Sequence, residues 1–178
     1  EVRNAVGPDI ELMADINQAL EPKQAIQLGK ELEEYDLLWL EEPVASNNRV
    51  GHAEVRSALA TPIASGENEY SLSGMHEMIE AKACDILMPD LQRIGGISEM
   101  RKVANLAESY NLPISTHIFT EHSLSVAGSV TNCLSVEHMP WFSKLFNEQI
   151  DVINGYIDIP ERPGTGFTFN DTYIKLIN

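Results

Sequence analysis

The chain is short of cysteine, of basic residues and of long apolar runs, and each shortage excludes something. Cys84 and Cys133 are the two cysteines in 178 residues. They stand far apart with no metal-ligand spacing, so they read as reduced, buried thiols of an intracellular protein, not as a disulfide framework or a zinc site. Lysine and arginine number 12 against 27 aspartates and glutamates, a formal net charge of −15. That balance opposes nucleic acid, which needs a Lys/Arg face to displace counterions, and it opposes anionic membrane surfaces. No apolar run approaches the roughly 20 residues of a membrane span. The opening EVRNAVGPDIELM has no basic segment followed by an apolar core, so no signal peptide is expected and a cytoplasmic location is. Gly-x-Gly-x-x-Gly, Gly-x-x-x-x-Gly-Lys-Ser/Thr and Gly-x-Ser-x-Gly are all missing, which removes the common phosphate loops and the hydrolase elbow.

What is present is a recurring strand–loop–helix unit of about 25 residues, in a chain whose 43% hydrophobic and 22% charged content suits one soluble core. Strands are expected at Ile10–Ala14, Leu37–Leu40, Pro62–Ala64, Asp85–Met88, Pro113–Ser115 and Leu134–Val136, each a short apolar run of the kind buried in parallel sheets. Helices are expected from Pro22 to about Tyr35, from Arg49 to Leu59, near Ser73–Ala81, after Gly95-Gly96, and over about His122–Thr131. The helix after Gly96 is the clearest, with Ile97, Met100, Val103, Ala104 and Ala107 on one face. Ile153–Phe169 alternates and carries Asn154-Gly155 and Pro163-Gly164, which predicts a hairpin-like excursion. The pattern predicts an α/β protein, the C-terminal portion of a (β/α) TIM-type barrel with six of its eight units, over residues 1–150. Residues 151–178 are expected to be a tail packed back on the barrel or on a capping domain. Closure of such a barrel takes eight strands, so two N-terminal units are expected outside this chain; the alternative is an open six-unit sheet with two bare edges.

Charged residues stand at the ends of the successive strands: Asp15, Glu41, Glu67, Asp90, His117 and Glu137, at intervals of 20 to 27 residues. In a β/α barrel these positions share one rim. If Asp15, Glu41 and Glu67 converge there, three carboxylates with no cysteine or histidine suit a hard cation, Mg²⁺ before Mn²⁺ or Ca²⁺. Glu42 is expected behind Glu41, held extended by Pro43. Asp90 and His117 fall on neighbouring strand ends, within hydrogen-bond reach across a strand spacing of about 4.8 Å. Asp90 would then fix the imidazole tautomer and favour its protonated form. Asn17, two residues beyond Asp15, is a candidate to hydrogen-bond a ligand. Arg93, beside the Gly95-Gly96 helix start, is a candidate to meet an anionic substrate. Glu137 would complete the ring as an acid or as a substrate anchor. Trp141 and Phe142 are expected to pack in a core or interface. His52, His76, His122 and His138 are assigned no chemistry.

Read together, ADIN at Asp15, WLEEP at Glu41, SGEN at Glu67, PDLQRIGG at Asp90, STHIF at His117 and SVEHMPW at Glu137 resemble the enolase superfamily, in its mandelate racemase-like branch. The resemblance covers nearly the whole chain, and NGYIDIPERPGTGF resembles that family's C-terminal segment. It implies one Mg²⁺ on Asp15, Glu41 and Glu67, an acid/base made of His117 and Asp90, and Glu137 holding substrate or intermediate. It implies a small carboxylate substrate and a homo-oligomer, while the charge balance already speaks against a nucleic acid or membrane partner. The family's Lys-x-Lys pair and its capping domain have no counterpart in this chain. VEHMPWFSKLFNE is most like acid-sugar dehydratases of the talarate/galactarate type. The implied reaction is removal of the α-proton of an acid sugar by neutral His117 and loss of a β-hydroxyl, giving a 2-keto-3-deoxy acid. A racemase or epimerase on the same site, a non-catalytic Mg²⁺-binding barrel fragment, and a barrel outside the family with solvated rim acids are the competing readings.

Overall fold

Each short apolar run forms a strand, and each of the first five strands is followed by a helix that folds back beside it. The computed structural model describes residues 1–176. The helix α1 (Val2–Val6) precedes β1 (Leu12–Asp15), which leads to α2 (Pro22–Leu32) with a 3-10 turn at Glu33–Tyr35. Then come β2 (Leu37–Glu41), α3 (Arg49–Ala58), β3 (Ile63–Ser65), α4 (Leu72–Glu80) and β4 (Ile86–Leu87). They are followed by α5 (Leu91–Ile94), α6 (Ile97–Ser109), β5 (Ile114–Thr116), α7 (Thr120–Ala127), β6 (Cys133–Val136), a 3-10 segment at Pro140–Leu145, and α8 (Asp171–Leu176). Every neighbouring pair is parallel, and the strand order is β1-β2-β3-β4-β5-β6. That is a wall of a β/α barrel, open between β1 and β6. Grooves of about 390 Å³ along β1 and about 490 Å³ along β6 mark those two edges. No helix among the described residues is long and apolar enough to cross a membrane.

Local chemistry starts the helices where the sequence says. Glu21 and Gln24 form a reciprocal capping box at α2, with Pro22 in the first turn. The side chains of Asn48 and Ser71 accept the Gly51 and Gly74 N–H at 2.9 and 3.1 Å and cap α3 and α4. The main core lies between sheet and helices. Leu40, Ile63, Leu87 and Ile114 from the strands meet Ala25, Val55, Met75, Met78, Met100, Val103, Ala104 and Ala107 from the helices. Each large aliphatic side chain so placed contributes about 1.5–3 kcal/mol. The opposite face of the sheet has a smaller cluster of Trp39, Ala64, Ile86 and Met88.

Several expectations shift. The fifth main helix occupies Thr120–Ala127, not His122–Thr131, because the chain turns left-handed at Ile118 and Phe119, with φ 26° and 48°, and so enters the helix early. The tail makes the expected hairpin-like excursion only at its base and at one turn, without a continuous ladder between them. Ile153 and Tyr156 close one turn over Asn154-Gly155 with backbone bonds of 2.9 and 3.0 Å, and Phe146 bridges Phe169 antiparallel. Side chains hold the rest: Phe146 packs on Phe167 and Phe169 with ring centroids 5.8 and 5.5 Å apart. Cys84 is buried, and burial pushes its thiol up to about 12, which keeps it inert. Cys133 is only half-buried, because edge strand β6 has no outer neighbour. Phe142 packs on Phe119 at 4.9 Å, whereas Trp141 is 66% exposed and belongs to no core.

Candidate active site

Parallel pairing in register brings the strand-end residues to one rim. Asp15 and Glu41 are direct partners across β1 and β2, and Asp90 bridges His117 just past β4 and β5. Glu67 follows β3 by two residues and Glu137 follows β6 by one. Alternation along β2 puts Trp39 and Glu41 on one face, and the indole Nε1 donates to Glu41 Oε2 at 3.1 Å.

The turns that leave these strands are conformationally forced. Gly66 has φ 134°, Asn17 and Gln18 have φ 46° and 65°, and Glu42 has φ 35°. Glu42 is therefore left-handed, not the extended residue its proline neighbour predicts. Asn17 lies beyond the strand, exposed, with its N–H donating to Asp15 Oδ1 at 2.7 Å. Strand alternation ends before it, and what the backbone forms there is an Asx turn on Asp15. Ile118, a β-branched residue at φ 26°, is a true outlier, a strain of about 1–3 kcal/mol. The turn lets the Ile118 N–H donate to Glu137 Oε2 at 3.0 Å.

At the centre is His117. Its Nδ1 donates to Asp90 Oδ2 at 2.7 Å and its Nε2 to Glu67 Oε2 at 3.0 Å. Burial opposes its charge, but bonds to Asp90 and Glu67 outweigh burial and push the imidazole up to about 10. The ring in this arrangement is a cation that donates from both nitrogens. Asp90 and Glu67 both favour the protonated ring in this arrangement; a neutral His117 acting as a base would need Glu67 turned away from Nε2. Burial likewise opposes the charges of Asp90 and Glu67, and their bonds to His117 and the Arg93 region hold both carboxyls below their ordinary values. Arg93 Nη1 meets Glu67 Oε1 at 3.0 Å and the Glu67 carbonyl at 3.1 Å, so its guanidinium faces a protein carboxylate.

Glu41 has the opposite environment. Burial pushes it up to about 7, with Asp15, Glu137 and Glu67 adding repulsion and Trp39 partly countering. Among the described residues neither Asp15 nor Glu41 has a cationic partner. The donor set fits a hard cation in kind: oxygen ligands and a surplus of negative charge. It is not a ready-made cage, because no three His, Cys, Asp or Glu side chains among the described residues stand close enough to grip a metal as they lie. Both Glu67 oxygens are engaged, by His117 and by Arg93. The structure thus unites His117, Asp90, Glu67 and Arg93 directly, couples Glu41 to Asp15 and Glu137 through charge, and leaves Asn17 apart. Sequence reasoning missed Trp39, Gln18 and Asn68. Trp39, two residues before Glu41 in a strand, could have been found from alternation alone.

Comparison with known proteins gives this rim a context. Residues 1–173 match the family described as enolase C-terminal domain-like. The chain is 36% identical over 170 residues to L-talarate/galactarate dehydratase of Salmonella typhimurium, covering 96% of this chain and 43% of that protein. It is 38% identical over 178 residues to D-xylonate dehydratase of Haloferax volcanii, covering 95% and 43%. It superposes with a TM-score of 0.94 and 35% identity on the crystal structure of L-talarate dehydratase from Polaromonas sp. JS666 complexed with Mg and L-glucarate, covering 98% of this chain and 49% of that one. The chain therefore spans about half the length of the relatives it matches.

Proposed function

The chain belongs to the enolase C-terminal domain-like family, and from that membership we propose that it carries the metal and acid–base half of a Mg²⁺-dependent acid-sugar dehydratase. The observation that carries the reading is the pairing of a charge-starved carboxylate, Glu41 beside Asp15, with an imidazole bound to Asp90 on the same rim. Relatives named as dehydratases of talarate, galactarate and xylonate support the substrate class, and the solved relative bound to Mg and L-glucarate supports the ion.

Asp15, Glu41 and Glu67 would hold the cation. Bound there, Mg²⁺ would supply a positive charge beside the substrate carboxylate, worth about 4 kcal/mol per unit pair at 4 Å and an effective dielectric near 20. The protein residues do the proton work. With Glu67 turned to the cation, His117 would first release its Nε2 proton to solvent; the neutral Nε2 then takes the α-proton, and Asp90 stabilises the resulting imidazolium. The electron pair of the broken Cα–H bond forms the Cα=Cβ bond as the Cβ–O bond breaks. The hydroxyl leaves as water with a proton supplied by His117 or Glu137, and the enol ketonises to a 2-keto-3-deoxy acid. Glu137, whose Oε2 accepts the Ile118 N–H, would hold substrate.

The test uses the longest natural form of the protein with Mg²⁺ and acid sugars in D₂O. The expected result is a 2-keto acid, with turnover lost by at least 10³-fold in His117→Asn. Recovery of α-deuterated, intact substrate would assign an isomerase to the same site. Full turnover by His117→Asn would end the proposal.

A further inference from the structure

One buried acid has no task in the reading above. Glu42 is 1% exposed and sits in the left-handed region at the end of β2. A carboxylate so deep persists only where its oxygens are satisfied. Two amides from the neighbouring strand ends do this. Gln18 Nε2 donates to Oε2 at 2.9 Å, and Asn68 Nδ2 lies 3.1 Å from both oxygens. Gln18 is itself pinned: its Oε1 accepts the Ser46 N–H at 2.9 Å and its N–H donates to the Glu42 carbonyl at 2.8 Å. Asn68 Nδ2 also lies 3.2 Å from Glu67 Oε1, while its Oδ1 accepts Arg93 Nη1 at 3.3 Å. The Asn68 amide thus has one proton for each of two carboxylates, and Arg93 fixes which way round it stands.

We propose that Glu42 is a positioning residue that acts through Asn68 to fix the Glu67 carboxylate and the loop that carries it. The part of this that concerns cation binding rests on the reading of Glu67 as a ligand. The chemistry asks for a carboxylate at position 42. An amide there would turn its own N–H toward one of two donors, and an apolar side chain would strand both. The geometry also explains why a strained backbone is kept at Glu42. The left-handed turn lets its side chain reach Gln18 and Asn68 while Glu41, one residue earlier, stays beside Trp39.

The test compares wild type, Glu42→Gln, Asn68→Ala and the double variant, using the longest natural form of the protein, ¹⁵N-labelled and stripped of metal. In wild type the Asn68 side-chain amide protons should exchange slowly with solvent. In Glu42→Gln, with near-ultraviolet circular dichroism unchanged, they should exchange at least tenfold faster. Mg²⁺ affinity by calorimetry should fall at least fivefold in each single variant, and the double variant should be no worse than the weaker single one. Should Glu42→Gln not fold, Asn68→Ala and Asn68→Ser test the same link from its other end, with Mg²⁺ affinity as the readout. Unchanged Asn68 exchange, unchanged Mg²⁺ affinity in folded variants, or losses that simply add would overturn the proposal. If wild type binds no Mg²⁺, the reading of Glu67 as a ligand falls, and Asn68 exchange alone decides the positioning role.

Discussion

Replacing Asp90 by asparagine separates its two duties. Asp90 is 1% exposed and caps α5, accepting the Arg93 N–H at 2.8 Å with one oxygen and His117 Nδ1 at 2.7 Å with the other. Asparagine also caps helices well, so the first duty survives and the charge on the imidazole's partner is lost. Partners hold His117 at about 10 against an ordinary 6.5, a net of about 5 kcal/mol that Asp90 and Glu67, with the Glu137 charge, supply over the opposition of burial. One charge-assisted hydrogen bond of this kind contributes about 1.5–3 kcal/mol. The His117 pKa should therefore fall by about one to two pH units in Asp90→Asn.

The sign in stability follows. A histidine raised by folding contributes fully below its unfolded value and loses that contribution as pH rises through the folded one. Asp90, held below its ordinary range, contributes above its unfolded value and stops contributing only in acid. The two limits define a window from about pH 5 to 7 in which Asp90→Asn should cost about 2 kcal/mol. For a chain of this size that is a loss of about 4–8 °C in Tm. By pH 10.5 the loss should shrink by more than half, because the wild-type imidazole is then largely neutral. Imidazole NMR titration and thermal melts at pH 6 and 10.5 check both numbers. An unmoved His117 pKa, or an equal loss at the two pH values, would refute the reasoning.

Other outcomes follow from the same charges. Glu41 is raised to about 7, so its ionised form strains the metal-free fold above that pH and the strain fades as pH falls toward its ordinary value. Glu41→Gln should stabilise the metal-free protein at pH 8.5 by about 1–3 kcal/mol, with little gain near pH 4.5; a lower Tm at pH 8.5 would contradict this. Mg²⁺ at about 100 times its Kd should stabilise wild type by about 2.7 kcal/mol and Glu41→Gln far less, which melts with and without the ion will read. Trp39 touches Glu41 and is 4% exposed, whereas Trp141 is 66% exposed. In Trp141→Phe the remaining indole emission should titrate near pH 7 and respond to Mg²⁺, and emission flat in both titrations would show that Trp39 does not sense the Glu41 charge.

Periodicity found the six strands because each is a short apolar run of the kind a parallel sheet buries, and it found the rim because side chains that end parallel strands have one place to go. Boundaries were less legible where backbone geometry overrides propensity. Nothing in Ile118-Phe119 advertises two left-handed residues, yet they move α7 by two residues and aim an N–H at Glu137. Glu42 shows the same limit: local rules make a residue before proline extended, and a demand from two distant amides makes it left-handed. In the tail the alternation over Ile153–Phe169 yields antiparallel pairing only at its base and one turn, because Phe167 and Phe169 are taken up by an aromatic cluster around Phe146.

Position told which residues meet but not which state they hold, and Glu67 is where that matters most. The sequence places it as one of three carboxylates of equal standing. In the fold it gives one oxygen to His117 and the other to Arg93 and Asn68, while Glu41 and Asp15 keep their unbalanced charge. A cation held by Glu67 would draw on the same oxygens that keep His117 protonated, so binding the ion would lower the imidazole's hold on its proton and free the base. On that reading the rim would link its proton to its metal through a single side chain, and the contacts on that side chain, Arg93 directly and Glu42 through Asn68, would set how readily it turns from one to the other.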